Sequence, residues 1–161
     1  YNSLVKQFSE RTVDKFYLAL VHGILESTLG RIEAPIGRNV RHPSKMSVSK
    51  QAGKEASTEF KVLDQRDGLS LLLLRLMTGR THQIRVHLDA IGHAIVGDGI
   101  YGSHAHKRDE FGRMMLHAWR IRLDHPITGE RLQLTATPPT AFEPYCSGLS
   151  LEDALAEFES S

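Results

Sequence analysis

Cations and hydrogen-bond donors concentrate in residues 78–87, which read Thr-Gly-Arg-Thr-His-Gln-Ile-Arg-Val-His. The apolar run before them, residues 69–77, predicts a strand buried on both faces. Apolar residues then recur at helical spacing, which predicts a short helix over residues 81–91. Because the first amides of a helix favour anions, Arg80 and His82 at that end suit a phosphate.

Arg85 follows one turn later, beside the apolar stripe of the same predicted helix. Its guanidinium could therefore be held at a cleft, where a bidentate acidic partner would suit it. The residues alone also permit a plainer interpretation, in which Arg80 and Arg85 are surface charges beside a packed helix.

The charges of this chain are unevenly distributed, although its formal net charge is only +1. A local charge of +5 arises between residues 31 and 54, where six cations face one glutamate. Those cations are Arg31, Arg38, Arg41, Lys45, Lys50 and Lys54. From Asp124 onward the balance reverses to −6. One interpretation is that the basic segment binds a phosphate-bearing partner. The alternative is that the basic and the acidic segments are both ordinary solvent-exposed surfaces.

Length and composition predict one domain over residues 1–161, with 40% hydrophobic residues to form its core. Cys146 is the only cysteine, so an intramolecular disulfide is impossible and a reducing compartment is expected. The sequence has no apolar run of membrane-spanning length and no signal peptide, which predicts a cytoplasmic protein without membrane contact. Because the chain starts at Tyr1, we also expect an N-terminally truncated domain.

The periodicities predict an α+β fold with a mostly antiparallel mixed sheet and a few short helices. Strands are predicted over residues 15–22, 46–48, 56–63, 69–77, 116–123 and 131–137, and helices over residues 4–8, 81–91 and 151–158. Asp67-Gly68 predicts a hairpin turn and Ser150 a helix cap. The basic stretch over residues 31–43 looks too polar to contribute to the core.

Taken in order, several motifs resemble the RluA-like family of RNA pseudouridine synthases. The tyrosine strand of that family is similar to Lys-Phe-Tyr-Leu-Ala-Leu-Val-His-Gly at residues 15–23, and its most specific signature is similar to residues 78–87. Further matches lie at residues 32–38, 45–46, 53–58, 92–93, 97–98, 101–102, 116–118 and 125–130. Together they cover most of the chain, and their order makes chance agreement a poor explanation.

The resemblance implies a pseudouridine synthase catalytic-domain fold and a uridine isomerase that acts on a base flipped out of its RNA stack. By match to the motifs, Tyr17 would lie against the uracil and Arg85 would pair with the nucleophilic aspartate, while Leu116 would line the base pocket. The expected phosphate contacts are Arg80, His82, Arg38, Arg41 and Lys45. The partner would be structured RNA, ribosomal or transfer RNA, bound by a monomer without cofactor, metal or nucleotide.

The main departure from the family is an absent segment. The nucleophile of the family belongs to a His-Arg-Leu-Asp motif before the tyrosine strand, and this sequence lacks that motif. Asp14 has neither the neighbours nor the spacing of the motif, so we do not assign the role to it. We therefore expect a partial catalytic domain that is inactive by itself.

Several alternatives remain open. Tyr17 could be an ordinary core tyrosine, and the chain could be an RNA-binding module without chemistry. A hydrolase with His82 or His87 as base lacks a convincing nucleophile. A metal site is disfavoured because His82 and His87 are poorly spaced and His104 and His106 lack a third ligand. The glycine-rich residues 97–102 lack the spacing of a nucleotide-binding loop.

Overall fold

A computed structural model describes residues 1–102 and 111–161 of the chain. Its centre is a six-stranded sheet in the order β2-β5-β6-β1-β7-β8, and a separate two-stranded ribbon pairs β3 with β4. The strands are β1 (Asp14–His22), β2 (Leu29–Glu33), β3 (Ile36–Arg38), β4 (Met46–Val48), β5 (Ser57–Arg66), β6 (Leu69–Leu76), β7 (Leu116–Asp124) and β8 (Arg131–Thr135). The helices are α1 (Asn2–Ser9), α2 (Gln83–Ala90), α3 (Glu143–Cys146) and α4 (Leu151–Glu159).

The predicted α+β class is confirmed, and every strand pairing in the described part of the chain is antiparallel. The middle strands β6 and β1 carry the apolar runs and are buried along most of their length. The β5–β6 connection is the predicted hairpin, with positive φ angles of 54° at Asp67 and 74° at Gly68. Two successive positive φ angles give the turn whose twist matches that of the flanking strands.

The register of the sheet decides which side chains share a face. Phe60, Leu74, Tyr17 and Ala118 form one row across β5, β6, β1 and β7. Thr58, two residues before Phe60, lies on the same face, and its hydroxyl contacts the side chains of α2. Tyr17 therefore lies on the face of the sheet that α2 covers, which we call the α2 face.

The opposite face, which we call the α4 face, packs against the C-terminal helix. Lys61 on β5 contacts Glu157 of α4 at 2.5 Å, and Arg120 on β7 forms an ion pair with Glu152. Helix α4 begins as predicted, because the Ser150 hydroxyl accepts a hydrogen bond from the amide of Asp153 at 3.2 Å.

Two predictions about local structure need correction, and two short elements were missed. The stretch over residues 31–43 was expected to lie outside the core, but it contains part of β2 and all of β3, which bury Ile32 and Ile36. A short strand with one covered face needs only an occasional apolar residue. Helix α2 begins at Gln83, later than expected, because His82 has a left-handed backbone with φ of 55°. A 3-10 turn at Thr140–Phe142 and helix α3 were not predicted.

Candidate functional site

Gln83 fixes the turn between β6 and α2. Its side-chain oxygen accepts hydrogen bonds from the Thr78 hydroxyl at 2.7 Å and the Arg80 amide at 3.0 Å. Its side-chain nitrogen donates to the Ser57 carbonyl at 2.9 Å and the Thr58 hydroxyl at 3.0 Å. These four bonds satisfy a side chain that is only 2% exposed. Gln83 thus holds the Thr-Gly-Arg turn against the end of β5.

His87 continues this buried network one turn along α2. Its Nε2 lies 2.9 Å from the Ala34 carbonyl, which can only accept, so Nε2 carries the hydrogen. Nδ1 then accepts from the Thr58 hydroxyl at 2.9 Å. Burial lowers the pKa of His87, although the hydrogen bond to Ala34 opposes that shift. His87 is therefore neutral, but it is fully buried and both ring nitrogens are hydrogen-bonded, which disfavours its use as the base of a hydrolase.

Arg85 forms a bidentate ion pair with Asp98. Its Nε donates to Oδ2 at 2.7 Å and its Nη2 to Oδ1 at 2.8 Å, and the guanidinium carbon lies 4.9 Å from the centre of the Tyr101 ring. Oδ1 also accepts the amides of Ile100 and Tyr101. The loop after residue 96 therefore wraps around the guanidinium and fixes its orientation.

The charges of this pair stabilise one another in a buried position. The Asp98 side chain is fully buried and that of Arg85 is 14% exposed. Burial by itself would raise the pKa of Asp98, but the hydrogen bonds from Arg85, Ile100 and Tyr101 together hold the pKa below its usual value. The hydrogen bond to Asp98 raises the pKa of Arg85. Both groups are therefore charged at neutral pH.

His82 is bound to the same loop through the Tyr101 hydroxyl. That hydroxyl accepts the Met46 amide at 3.0 Å and lies 2.8 Å from His82 Nδ1. Burial lowers the pKa of His82, and the nearby positive charge of Arg85 lowers it further, against a smaller opposing effect of Asp98. His82 is therefore neutral at pH 7 and can reach a phosphate only as a hydrogen-bond donor.

Tyr17 lines an open cavity of about 280 Å³ on the α2 face. The apolar part of its wall comes from β7 and β8 and includes Ala118, Ile121 and Leu134. Leu134 is 56% exposed, so this part of the sheet is largely uncovered. Burial raises the pKa of Tyr17, which keeps its hydroxyl protonated at neutral pH. A flat apolar floor beside a phenol is suited to a planar base.

A basic cleft of about 470 Å³ lies between the β3–β4 ribbon and the turn before α2. Arg38, Lys54, Arg80 and His82 all line this basic cleft. Arg80 is anchored there by a 2.9 Å hydrogen bond from its Nε to the Glu55 carbonyl. Three arginine or lysine side chains around one groove favour the binding of a polyanion.

The structure brings together only some of the residues singled out from the sequence. Arg38, Arg80 and His82 share the basic cleft. Lys45 instead binds the Ile100 carbonyl at 3.0 Å and lines a neighbouring cavity, while Arg41 is exposed. Leu116 lies on the α2 face two positions from Ala118, but it does not line the cavity of Tyr17.

Arg85 and Tyr17 do not line a common cavity among those described, although α2 and Tyr17 occupy the same face of the sheet. The partner that the structure gives Arg85 is Asp98, whereas the sequence analysis expected an aspartate outside this chain. Sequence reasoning assigned no role to Asp98 and Gln83, which hold Arg85 and the turn before α2. Both residues lie inside motifs that resemble the family, so the sequence pointed to their positions. Spacing alone could not reveal which groups they contact.

Within residues 1–102 and 111–161, no group of three or more histidine, cysteine or acidic side chains could hold a metal ion. His104 and His106, considered above as ligands, lie outside the described residues. In the same described part of the chain, no helix is both long and apolar enough to cross a bilayer.

Comparison with known proteins assigns this architecture to a family. A sequence model described as RNA pseudouridylate synthase matches residues 1–90. The solved structure of human RNA Pseudouridylate Synthase Domain Containing 1 superposes with a TM-score of 0.84 at 32% identity, covering 99% of this chain and 71% of that one. The chain therefore belongs to the RNA pseudouridine synthase family, as the motifs implied.

Two curated relatives are both called Ribosomal large subunit pseudouridine synthase D. The protein from Nitrosomonas europaea is 46% identical over 135 residues, which cover 80% of this chain and 39% of the relative. The protein from Neisseria meningitidis serogroup A is 39% identical over an alignment 163 residues long, which covers 96% of this chain and 43% of the relative. The chain thus spans less than half the length of these relatives.

Proposed function

We propose that the protein containing this chain is an RNA pseudouridine synthase that isomerises uridine in structured RNA. The observation that carries the proposal is the position of Tyr17, on an uncovered apolar floor of the α2 face, in a chain of this family. The two relatives named for the large ribosomal subunit favour ribosomal RNA over transfer RNA as the substrate. The site would act in the cytoplasm, within a monomeric protein whose catalytic domain includes residues 1–161.

In this proposal the flipped uracil stacks on Tyr17, whose protonated hydroxyl remains available to the base. Arg85 would contact the nucleophilic carboxylate and keep it ionised. Asp98 occupies Nε and Nη2 of Arg85, and no hydrogen bond from Nη1 occurs within the part of the chain that the structure describes. Nη1 and the second hydrogen of Nη2 are thus left to meet that carboxylate. Uridine and pseudouridine are isomers, so the reaction itself needs no external oxidant.

The basic cleft would bind the phosphates around the target nucleotide. Arg38, Arg80 and Lys54 supply its charge, and neutral His82 supplies a donor. Lys45 and Arg41 would contact phosphates further along the ribbon. Phosphate contacts of this kind position the RNA without reading its sequence.

A second candidate is an RNA-binding module without chemistry, which the basic cleft alone would support. We propose that residues 1–161 alone bind RNA but do not isomerise it, because the nucleophile is not among them. The two candidates differ in what the full-length protein does. Only the enzyme releases the hydrogen at C5 of uracil.

The test uses the full-length protein and ribosomal RNA labelled with tritium at uracil C5. We expect tritium release by the wild type, and loss of release with retained RNA binding for Arg85→Ala. Near-normal turnover of that variant would refute the role of Arg85. A full-length wild type that binds RNA but releases no tritium would favour the binding module.

The RNA contacts are tested separately by filter binding over a salt series. Charge reversal at the three predicted ribbon contacts should weaken binding and flatten its dependence on salt, because fewer counterions are released. The three substitutions are Arg38→Glu, Arg41→Glu and Lys45→Glu. An unchanged slope would exclude the ribbon from the interface.

A further inference from the structure

Lys15 lies at the junction between the cavity of Tyr17 and the basic cleft. It precedes Tyr17 by two residues on β1, so both side chains are on the α2 face, and both line the same cavity. The Lys15 ammonium also reaches Gly79, where a Cβ placed on the glycine would lie 3.6 Å from Nζ. Gly79 in turn lines the basic cleft beside Arg80.

The ammonium of Lys15 is half-buried and has no ion pair or hydrogen bond within residues 1–102 and 111–161. The adjacent acid, Asp14, does not neutralise it. Asp14 Oδ1 accepts from Arg75 at 2.9 Å and Oδ2 from Arg131 at 2.7 Å, so two other cations hold that carboxylate. Burial lowers the pKa of Lys15, the charge of Arg11 lowers it further, and Asp14 opposes the shift.

Desolvation of a cation that has no counter-ion costs free energy, and a bound anion would offset that cost. This ammonium therefore lies between Gly79, which lines the basic cleft, and the cavity that Tyr17 lines. A nucleotide whose base lies on Tyr17 has its own phosphate within a few ångströms of the sugar. The anion that this geometry accommodates is therefore a backbone phosphate next to the flipped base.

We propose that Lys15 binds the RNA phosphate that flanks the target uridine, and so positions the base over Tyr17. This inference rests on the proposed function, because it assumes that the cavity of Tyr17 receives the target base. It adds a substrate contact that neither the motifs nor the charge pattern had identified.

The experiment compares full-length wild type with Lys15→Gln and Lys15→Arg in tritium release and in RNA binding over a salt series. Loss of one phosphate contact should reduce the slope of log affinity against log salt by about 0.7 to 0.9. It should also raise KM and the RNA dissociation constant roughly tenfold. Lys15→Arg keeps the charge and should restore the slope. Lys61→Gln is the matched control, because Lys61 is a strand lysine on the α4 face that is paired with Glu157. The salt slope of this variant should equal that of the wild type.

A second measurement avoids any effect of substitution on folding. In the wild type, acylation of Lys15 by an amine-reactive ester, followed by peptide mass spectrometry, should be suppressed by bound RNA, while acylation of Lys61 should not. An unchanged salt slope in Lys15→Gln, or equal acylation of Lys15 with and without RNA, would overturn the inference. A loss of turnover without a change in slope would instead indicate a protein carboxylate as its partner. Failure of the wild type to release tritium would refute the proposed function, and the slope and acylation results would still decide whether Lys15 touches phosphate.

Discussion

Asp98→Asn removes the negative charge opposite Arg85 while it preserves the size and most hydrogen-bonding capacity of the side chain. The amide can still accept from the Ile100 and Tyr101 backbone, so the loop retains part of its anchoring. The guanidinium, however, is left in a position that is only 14% exposed without a counter-charge. The substitution therefore removes the charge of the pair together with one acceptor, because the amide NH2 replaces the oxygen that accepts from Arg85 Nε.

The magnitude follows from the burial of both partners. Removal of one member of a buried ion pair costs about 3 to 5 kcal/mol, because the remaining charge is neither paired nor hydrated. We expect about 3 kcal/mol for Asp98→Asn, since the amide oxygen retains some hydrogen bonds. For a domain of this size that loss corresponds to a fall in Tm of about 6 to 12 °C. Arg85→Met should cost a similar amount, because it leaves Asp98 fully buried and unpaired.

The assay is a double-mutant cycle by urea unfolding with Asp98→Asn, Arg85→Met and the double variant. If the two side chains stabilise one another, the double variant should lose little more free energy of unfolding than either single variant. Additive losses would contradict the ion pair. Glu10→Gln is a surface control, because its partner Lys6 is 72% exposed at 3.8 Å, and we expect no measurable loss there.

Two further predictions concern the framework of the site. Because burial lowers the pKa of His87 below its usual value of 6.5, the unfolded chain binds a proton that the folded chain does not. The stability that neutral His87 provides is present above the unfolded pKa of 6.5 and is lost as the pH falls below it. The urea midpoint should therefore fall with pH below about 6.5, and His87→Gln should reduce that fall; an identical fall would refute the assignment. Gly97→Ala should cost at least about 2 kcal/mol by thermal unfolding, because φ is +74° and the new carbon would lie 2.1 Å from the Arg113 carbonyl oxygen. Gly129→Ala, with φ of +76° and open space around it, should cost only about 1 kcal/mol, and equal losses would argue against the steric explanation.

The strands were predictable where hydrophobic periodicity is strong. The apolar run of β6, the alternation in β1 and the Asp67-Gly68 turn each carry a local signal that the structure confirms. The start of α2 was misplaced because His82, whose ring contacts the distant Tyr101, has a left-handed backbone that no local pattern encodes. The burial of Ile36 likewise depends on which distant segment covers the ribbon.

The candidate site was predictable in composition but not in connectivity. The motif containing Arg85 could be recognised in the sequence, yet the choice of Asp98 as partner follows from the path of the loop after residue 96. The same is true of Lys15, whose significance depends on the strand register that places it beside Tyr17 and on its approach to Gly79. Long-range contacts of this kind are properties of the fold, and charge counting cannot supply them.

The position of the target base on Tyr17 is tested most directly by photo-crosslinking. Ribosomal RNA in which 4-thiouridine replaces uridine at the modified position is bound to the full-length protein, irradiated and mapped by peptide mass spectrometry. We expect the crosslink on β1 or β7, at Tyr17 or the adjacent cavity residues Lys15 and Ala118. A crosslink confined to α4, on the opposite side of the sheet, would contradict the account.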